Sequence, residues 1–574
     1  MNILWIVLGS AVILVMGYIF YGKFLATKVF KLDDSKVTPG VEMNDGNEYL
    51  PTTKNMLMSQ HFSAIAAAGP INGPILAGVM FGWVPALIYI LVGSIFIGGV
   101  HDMGSLVASV RYKARSITEV IRVNISKRAW LLFMLFIWIT LVYIIVTFTD
   151  ITASSFVGVT KLENGDQVTG SSIAASSVLY LILPIIMGFL MKFAHLKEKV
   201  GLLIFIPLVG VAIWAGHFIP ISLPASITNL AEQQHIWGVI ILIYCLIAAL
   251  CPMWMILQPR GAIGGYFLYI SLLCAAIGVA FGGYIVKFPA FTNLGKSGAM
   301  NWFPMLPVLF TTIGCGACSG FHSLVSSGTT SKQLSKESDA KPVGYGSMIL
   351  EGMVAVTALT CLMILPNNSE IVTKAPNLIY ASGIGSFLEL IGIPGIYGVT
   401  FGLMAFTTFV YDTLDVCTRL GRYIIQELTG WKGFKGAFFG TLLTAGIPLI
   451  FIFQTVTLNG KVVPAWKTFW NTFGASNLLL ASLALVGVTV CLIKTNHNKT
   501  WLVSFIPACI AFFFANWSLI RDIYTGWGLG KGHPAIPFVS LILIVLSCMV
   551  VAETYKVIVL KPGTKDANGA EIGL

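Results

Sequence analysis

The chain has 574 residues, of which 56% are hydrophobic and only 10% charged, against about 25% charged in an ordinary soluble domain. So much apolar sequence finds no room in a water-excluded core of this size, and lipid must be its solvent. The net charge of +11 does not indicate nucleic acid, because Lys and Arg collect in the cytoplasmic loops of membrane proteins.

The longest polar stretch is residues 31–59, and the tail after Glu553 is short. The chain therefore reads as a single membrane domain over 1–574. Apolar runs predict an all-α polytopic protein of about fifteen transmembrane helices, each near the roughly 20 residues a span requires. They fall near 3–22, 61–80, 84–109, 129–157, 175–191, 200–219, 236–257, 265–286, 303–330, 344–366, 383–411, 436–455, 474–493, 500–520 and 534–555. The first stretch has no basic leader and no small-residue cleavage site, so it is expected to remain as a helix. With the N-terminus outside and the C-terminus cytoplasmic, the inner loops carry 27 of the 35 basic residues. They include Lys23, Lys54, Arg111 to Arg128, Lys192, Arg260, Lys332, Arg419, Lys494, Lys556, Lys561 and Lys565. A miscounted helix scrambles that alternation.

Two spans do not look like plain lipid-facing helices. In 61–81, HFSAIAAAGPINGPILAGVMF, the pairs Gly69-Pro70 and Gly73-Pro74 are expected to interrupt the helix, since Pro removes a donor and crowds the preceding turn. In 303–332, Gly314, Gly316, Gly320 and Gly328 fall among Ser and Thr. Irregular backbone survives at membrane depth only inside protein or beside a wet cavity. In this topology the two elements run in opposite directions, as the halves of an inverted-repeat transporter do. The bland alternative is that small residues only permit close helix packing. The candidate substrate-binding residues are Gly69, Pro70, Gly73, Pro74, Gly320, His322, Ser326, Ser327 and Thr329. His61, at the start of the first element, is a weaker candidate.

Carboxylates inside a bilayer are costly and need a reason. Asp102, Asp150, Glu351, Asp412 and Asp415 are the candidates. Asp102 lies nine residues before Arg111, where the basic loop begins, so roughly 10 Å deep or more. Asp102, Glu351 and Asp412 are expected to carry the coupling ion. Asp412, Asp415 and Arg419 share one helical face by their spacing of three and four. Asp415 and Arg419 are expected to act as a gate, or else as an intrahelical ion-pair ladder, and Glu351 has Arg260 or Arg419 as possible partners. Cys315 and Cys318 form a lone C-x-x-C, and without a second pair or His at zinc spacing neither metal nor cofactor is expected.

Several segments resemble the carbon starvation protein A family of membrane transporters, over nearly the whole chain. They are AAAGPINGP at 66–74, VHDMGSLVASVR at 100–111, PMWMILQPR at 252–260, GACSGFHSLVSSGTTSK at 316–332, YGSMILEG at 345–352, DTLDVCTRLGRYIIQEL at 412–428 and FGASN at 473–477. His101 stands where family members often carry Gln, and Leu478 where they usually carry Gln. The resemblance implies a core like the inverted-repeat amino acid–polyamine–organocation (LeuT-like) transporter fold. Its repeats would lie at 61–220 and 303–494, with further helices to 555. The two broken elements are seven spans apart rather than five, so either two helices near 236–286 are additional or the repeat boundaries differ.

The resemblance also implies a secondary active transporter importing short peptides or pyruvate-like small carboxylates across the cytoplasmic (inner) membrane during carbon starvation. Proton coupling is preferred over sodium because buried acids and His322 can titrate. No Walker A motif, nucleophile elbow or H-E-x-x-H is present, so neither an ATP-driven pump nor an enzyme is expected. The alternative is a membrane sensor or channel. Oligomeric state is not readable from the sequence.

Overall fold

The computed structural model describes residues 1–556 apart from 47, 67, 162–166, 293–301, 455, 459–460, 464, 496–498 and 531–532. Ala67, within the expected first break, and Lys561 and Lys565, among the expected cytoplasmic charges, lie outside the described residues.

Lipid offers the backbone no hydrogen-bond partners, so a spanning chain must satisfy its own amides, and helices do so locally. The regular elements among the described residues are accordingly helices apart from two short antiparallel hairpins, Val159–Lys161 with Gln167–Thr169 and Val456–Leu458 with Lys461–Val463. Among the described residues, twelve helices are each long and apolar enough to cross a membrane, and a bent pair makes a thirteenth if counted as one span. The protein is thus a multi-pass membrane protein, and the expected fifteen spans are not reached by this measure. The most apolar stretch of Ile3–Val29 is only 22% buried in protein, whereas those of Glu337–Met363 and Phe469–Thr495 are 89% buried. The first belongs to the rim and the other two to the centre.

One expected span is corrected. Residues 383–411 are not one helix but parts of two, Pro376–Glu389 and Gly395–Thr429. The chain turns between them where Gly392 adopts φ +83° and Pro394 caps the second helix. Glycine takes the left-handed conformation freely, and proline starts a helix better than it continues one.

The polar centre is held by α1 (Lys54–Ile65), α2 (Gly69–Phe81), α3 (Gly99–Arg111), α4 (Ile117–Asn124), α5 (Leu230–Leu250), α6 (Leu257–Phe281), α7 (Trp302–Thr312), α8 (Phe321–Val325), α9 (Ser347–Met363), α10 (Gly395–Thr429) and α11 (Ala465–Thr495). The first broken element is the pair α1 and α2, bent by 43°. The bend lies before Gly69. Pro70 occupies the first turn of α2, where its missing donor is not needed, and Pro74 sits inside the continuous helix. The expectation that Gly73-Pro74 interrupts the span is therefore corrected.

The second broken element runs from α7 through a single turn, Gly314–Ala317, to an extended Cys318, then α8 and a wide π turn at Ser326–Thr330. The two elements cross backbone against backbone. A Cβ on Gly73 would stand 3.1 Å from the Ile313 Cα, one on Gly69 would meet the Cys315 side chain, and one on Gly316 would stand 3.3 Å from the Pro70 Cα. Glycine is required at this crossing because only it admits so close an approach.

Candidate functional site

Just beyond the crossing, four titratable side chains form a chain. Both rings flanking Asp102 reach it through Nδ1. His101 lies 2.8 Å from Asp102 Oδ1, and His322 lies 2.8 Å from Asp102 Oδ2. The other ring nitrogen of His322, Nε2, is 3.2 Å from Glu351 Oε2, within ion-pair distance but without hydrogen-bond alignment. All four side chains have 0% exposure. They come from α3, α8 and α9, and the Ile65 backbone at the end of α1 faces His322 as well. No Lys or Arg among the described residues is ion-paired with Asp102 or Glu351. A carboxylate buried without a fixed cation is stabilised by hydrogen bonds and by protons. Imidazole and carboxyl groups in contact are chemically able to exchange a proton.

Asn477 of α11 organises the second break. Its Oδ1 accepts from the Phe321 amide at 2.9 Å, and its Nδ2 donates to Ser319 Oγ at 2.9 Å and to Cys315 Sγ at 3.2 Å. The Gly320 amide donates to the Asn477 carbonyl. The break thus has two of its amides satisfied by one buried residue, as irregular backbone in a membrane requires.

The other expected binding residues divide. Gly69, Pro70, Gly73 and Pro74 are buried in the crossing just described. Ser327 donates to the Ser323 carbonyl and accepts from the Ile117 amide, which fastens the π turn to α4. Thr329 donates to the Val325 carbonyl of its own helix. The Ser326 hydroxyl has no hydrogen-bond partner. His61 pairs with Thr330 Oγ1 at 2.8 Å, so the two broken elements also touch below the crossing. Cys315 and Cys318 are not disulfide-bonded.

A second polar cluster departs from expectation. Arg260, 1% exposed, bridges two acids of α10, with Nη2 2.8 Å from Asp412 Oδ1 and Nη1 on Asp415 Oδ2. Tyr244 of α5 donates to the same Asp415 oxygen at 3.0 Å. Arg419 takes no part in a ladder with these acids. It donates to the carbonyls of Ala248 and Cys251 at 2.9 and 2.7 Å, at the C-terminal end of α5, where a cation offsets the helix dipole. The expected ladder is therefore corrected, and so is the expected pairing of Glu351 with Arg260 or Arg419, since Glu351 faces His322. Asp150 accepts from Gln234 at 2.6 Å.

A cavity of about 400 Å³ opens beside the π turn, lined in part by Tyr49, Arg115, Glu119, Ser327, Lys332 and Tyr423. Lys332 holds Glu48 at 3.0 Å, and Arg115 holds Glu119 at 2.7 Å. The lining thus presents both signs of charge. Among the described residues no cluster of His, Cys, Asp and Glu is arranged to hold a metal ion.

Residues 2–377 and 365–518 match the family model described as carbon starvation protein CstA. The chain belongs to this family. A relative from Helicobacter pylori named peptide transporter CstA is 31% identical, with 91% of this chain and 82% of that protein covered. One of the same name from Bacillus subtilis is 30% identical over 97% of each chain. The pyruvate/proton symporter BtsT of Escherichia coli is 28% identical, covering 91% of this chain and 82% of its own. Among solved structures, a mutant of the Eremococcus coleocola manganese transporter covers 90% of this chain and 98% of its own. Its identity is 14% and its TM-score 0.44, too slight a likeness to carry an argument.

Within this family member, Asn477 at the second break, His101 in the buried chain and Arg260 in the second cluster hold positions that the sequence did not assign them. Asn477 stands in FGASN amid an apolar span, and a polar residue in such a setting is itself a signal. Arg260 looked like a cytoplasmic loop charge because it falls between the spans expected at 236–257 and 265–286.

Proposed function

We propose that this chain is a secondary active transporter that imports short peptides or small carboxylates such as pyruvate, coupled to protons. The observation that carries the reading is the crossing of two interrupted elements beside a fully buried His–Asp–His–Glu chain with no Lys or Arg partner. Broken helices present backbone ends to a solute, and groups that exchange protons near them link solute binding to the proton gradient. Asp102, His322 and Glu351 are assigned the coupling role. Asp412 joins Asp415 on Arg260, and this bridge is assigned to the gate, with Arg419 fastening the end of α5. The relatives' printed names, a peptide transporter and a pyruvate/proton symporter, support both solute classes.

The finer topology belongs to the same reading. The broken element of 302–330 and the long α10 join the thirteen spans to make fifteen, with the N-terminus outside, the C-terminus cytoplasmic and the protein in the cytoplasmic membrane. The repeats are assigned to 61–220 and 303–494, in a LeuT-like arrangement, with α5 and α6 outside them. The working setting is carbon starvation, as the family description indicates.

Counterflow and gradient-driven uptake in proteoliposomes test the reading, with pyruvate and dialanine as probes and an imposed proton or sodium gradient. Saturable uptake driven by protons supports it. Flux that does not saturate supports a channel, and no uptake of either probe supports a sensor. Pyruvate uptake unaffected by competing dialanine overturns the peptide assignment.

A further inference from the structure

The proton ledger of the buried chain allows two arrangements that satisfy its contacts. A neutral imidazole has one donor and one acceptor, and a carboxylate only accepts. In the first, Asp102 is ionised and both rings donate Nδ1–H to it. The His322 Nε2 lone pair then faces a protonated Glu351. In the second, Glu351 is ionised and accepts from the His322 Nε2–H once its Oε2, 3.2 Å away, turns into line, while protonated Asp102 donates from Oδ2 to the His322 Nδ1 lone pair. Two concerted transfers interconvert them. The Glu351 Oε2–H bond breaks as the His322 Nε2–H bond forms, and the His322 Nδ1–H bond breaks as the Asp102 Oδ2–H bond forms. No proton is gained or lost, and the net charge is the same in both.

His101 differs from His322. Its Nδ1 donates to Asp102 Oδ1 in both arrangements, while its Nε2 is buried and has no hydrogen-bond partner among the described residues. A proton arriving at that nitrogen makes an imidazolium against Asp102, and an adjacent positive charge favours the ionised carboxylate. The other proton is then driven toward Glu351.

We propose that His322 shuttles one proton between Asp102 and Glu351, and that His101, by charging at Nε2, sets which carboxyl holds it. This rests on the reading of proton coupling above and names its regulation. The other titratable groups facing the chain are His61 of α1, Cys315 and Cys318 of the second break, and Tyr345, which packs on Gly99. None of these is a fixed cation. His101 acts through Asp102 and is a positioning residue.

The test uses the full chain. H101Q keeps an N–H donor for Asp102 but cannot charge. Its uptake of pyruvate or dialanine, driven by an imposed proton gradient, is expected to lose its dependence on pH at least fivefold in slope. Its elution profile and thermal midpoint in detergent are expected to stay at wild-type values. H101K, whose ammonium stays charged across this pH range, is expected to leave the slope flat as well. In the resting wild-type protein, infrared difference spectra across a pH titration are expected to show two carboxylic acid bands exchanging intensity, one lost in D102N and the other in E351Q. A wild-type pH profile in H101Q, or a single carboxylic acid band, overturns the proposal. Saturable wild-type uptake that ignores the proton gradient overturns the coupling reading instead, and two exchanging bands would then still support the shuttle.

Discussion

Asp102 shows how a side chain's neighbours decide its role. From sequence it is an acid some 10 Å inside a membrane, equally suited to a structural ion pair or to proton transfer. The structure gives it two imidazoles and no cation. D102N is expected to leave saturable uptake, measured in proteoliposomes, flat with pH where the wild type responds. Wild-type rate and pH dependence in that variant would remove Asp102 from coupling. Arg260 shows the opposite case, a cation fully matched by two acids. R260M leaves Asp412 and Asp415 buried without their counter-charge, and breaking a buried pair costs about 3–5 kcal/mol. The thermal midpoint in detergent is expected to fall, and adding D412N and D415N is expected to recover most of it. No recovery would mean that packing, and not charge, makes Arg260 necessary.

At the scale of elements, the loop around Glu48 closes over the second broken element. Thr52 donates its amide to the Gln333 carbonyl, Thr38 bonds the Leu334 carbonyl, and Lys332 holds Glu48. Burial raises the Glu48 carboxyl, but the Lys332 ammonium and the hydrogen bonds from Lys332 and Tyr423 outweigh it and hold the group below the usual glutamate range. The stabilisation is therefore complete above the ordinary glutamate value and is lost as pH falls through the lower folded value. The pair is partly exposed, so it contributes at most about 1 kcal/mol. E48Q is expected to make the loop cleave faster under limited proteolysis at neutral pH, and to abolish any further acceleration on acidification. Equal cleavage rates in E48Q and wild type would show that the backbone contacts alone hold the loop. The glycines of the crossing belong to this scale too. Their spacing suggested a helix interrupted twice, but only one interruption formed, because Gly73 serves close approach and Pro74 is carried within a continuous helix.

At the scale of the molecule, the charge alternation predicts that an epitope at the N-terminus is reached by protease on intact cells, and one at the C-terminus only after permeabilisation. The reverse result would invert the assigned topology. Arg260 and Arg419 were counted among the cytoplasmic charges that support this orientation, yet both are buried in protein, and the bias survives without them.

Composition and apolar period determined by themselves that the chain lives in lipid, is helical and is interrupted at two places, because lipid admits only helices and closed barrels, and apolar runs of about 20 residues fit the helix. The motifs, taken in order along the chain, carried the family. They also named Asp102, His322 and Glu351 one at a time. Only the tertiary structure placed those three in one line with His101, and gave Asp412 and Asp415 to Arg260 instead of Arg419. The physical reason is range. Hydropathy is a property of each residue and its near neighbours, whereas an ion pair or a proton path is settled by which helix packs against which. His322 and Asp102 are 220 positions apart in sequence and 2.8 Å apart in space.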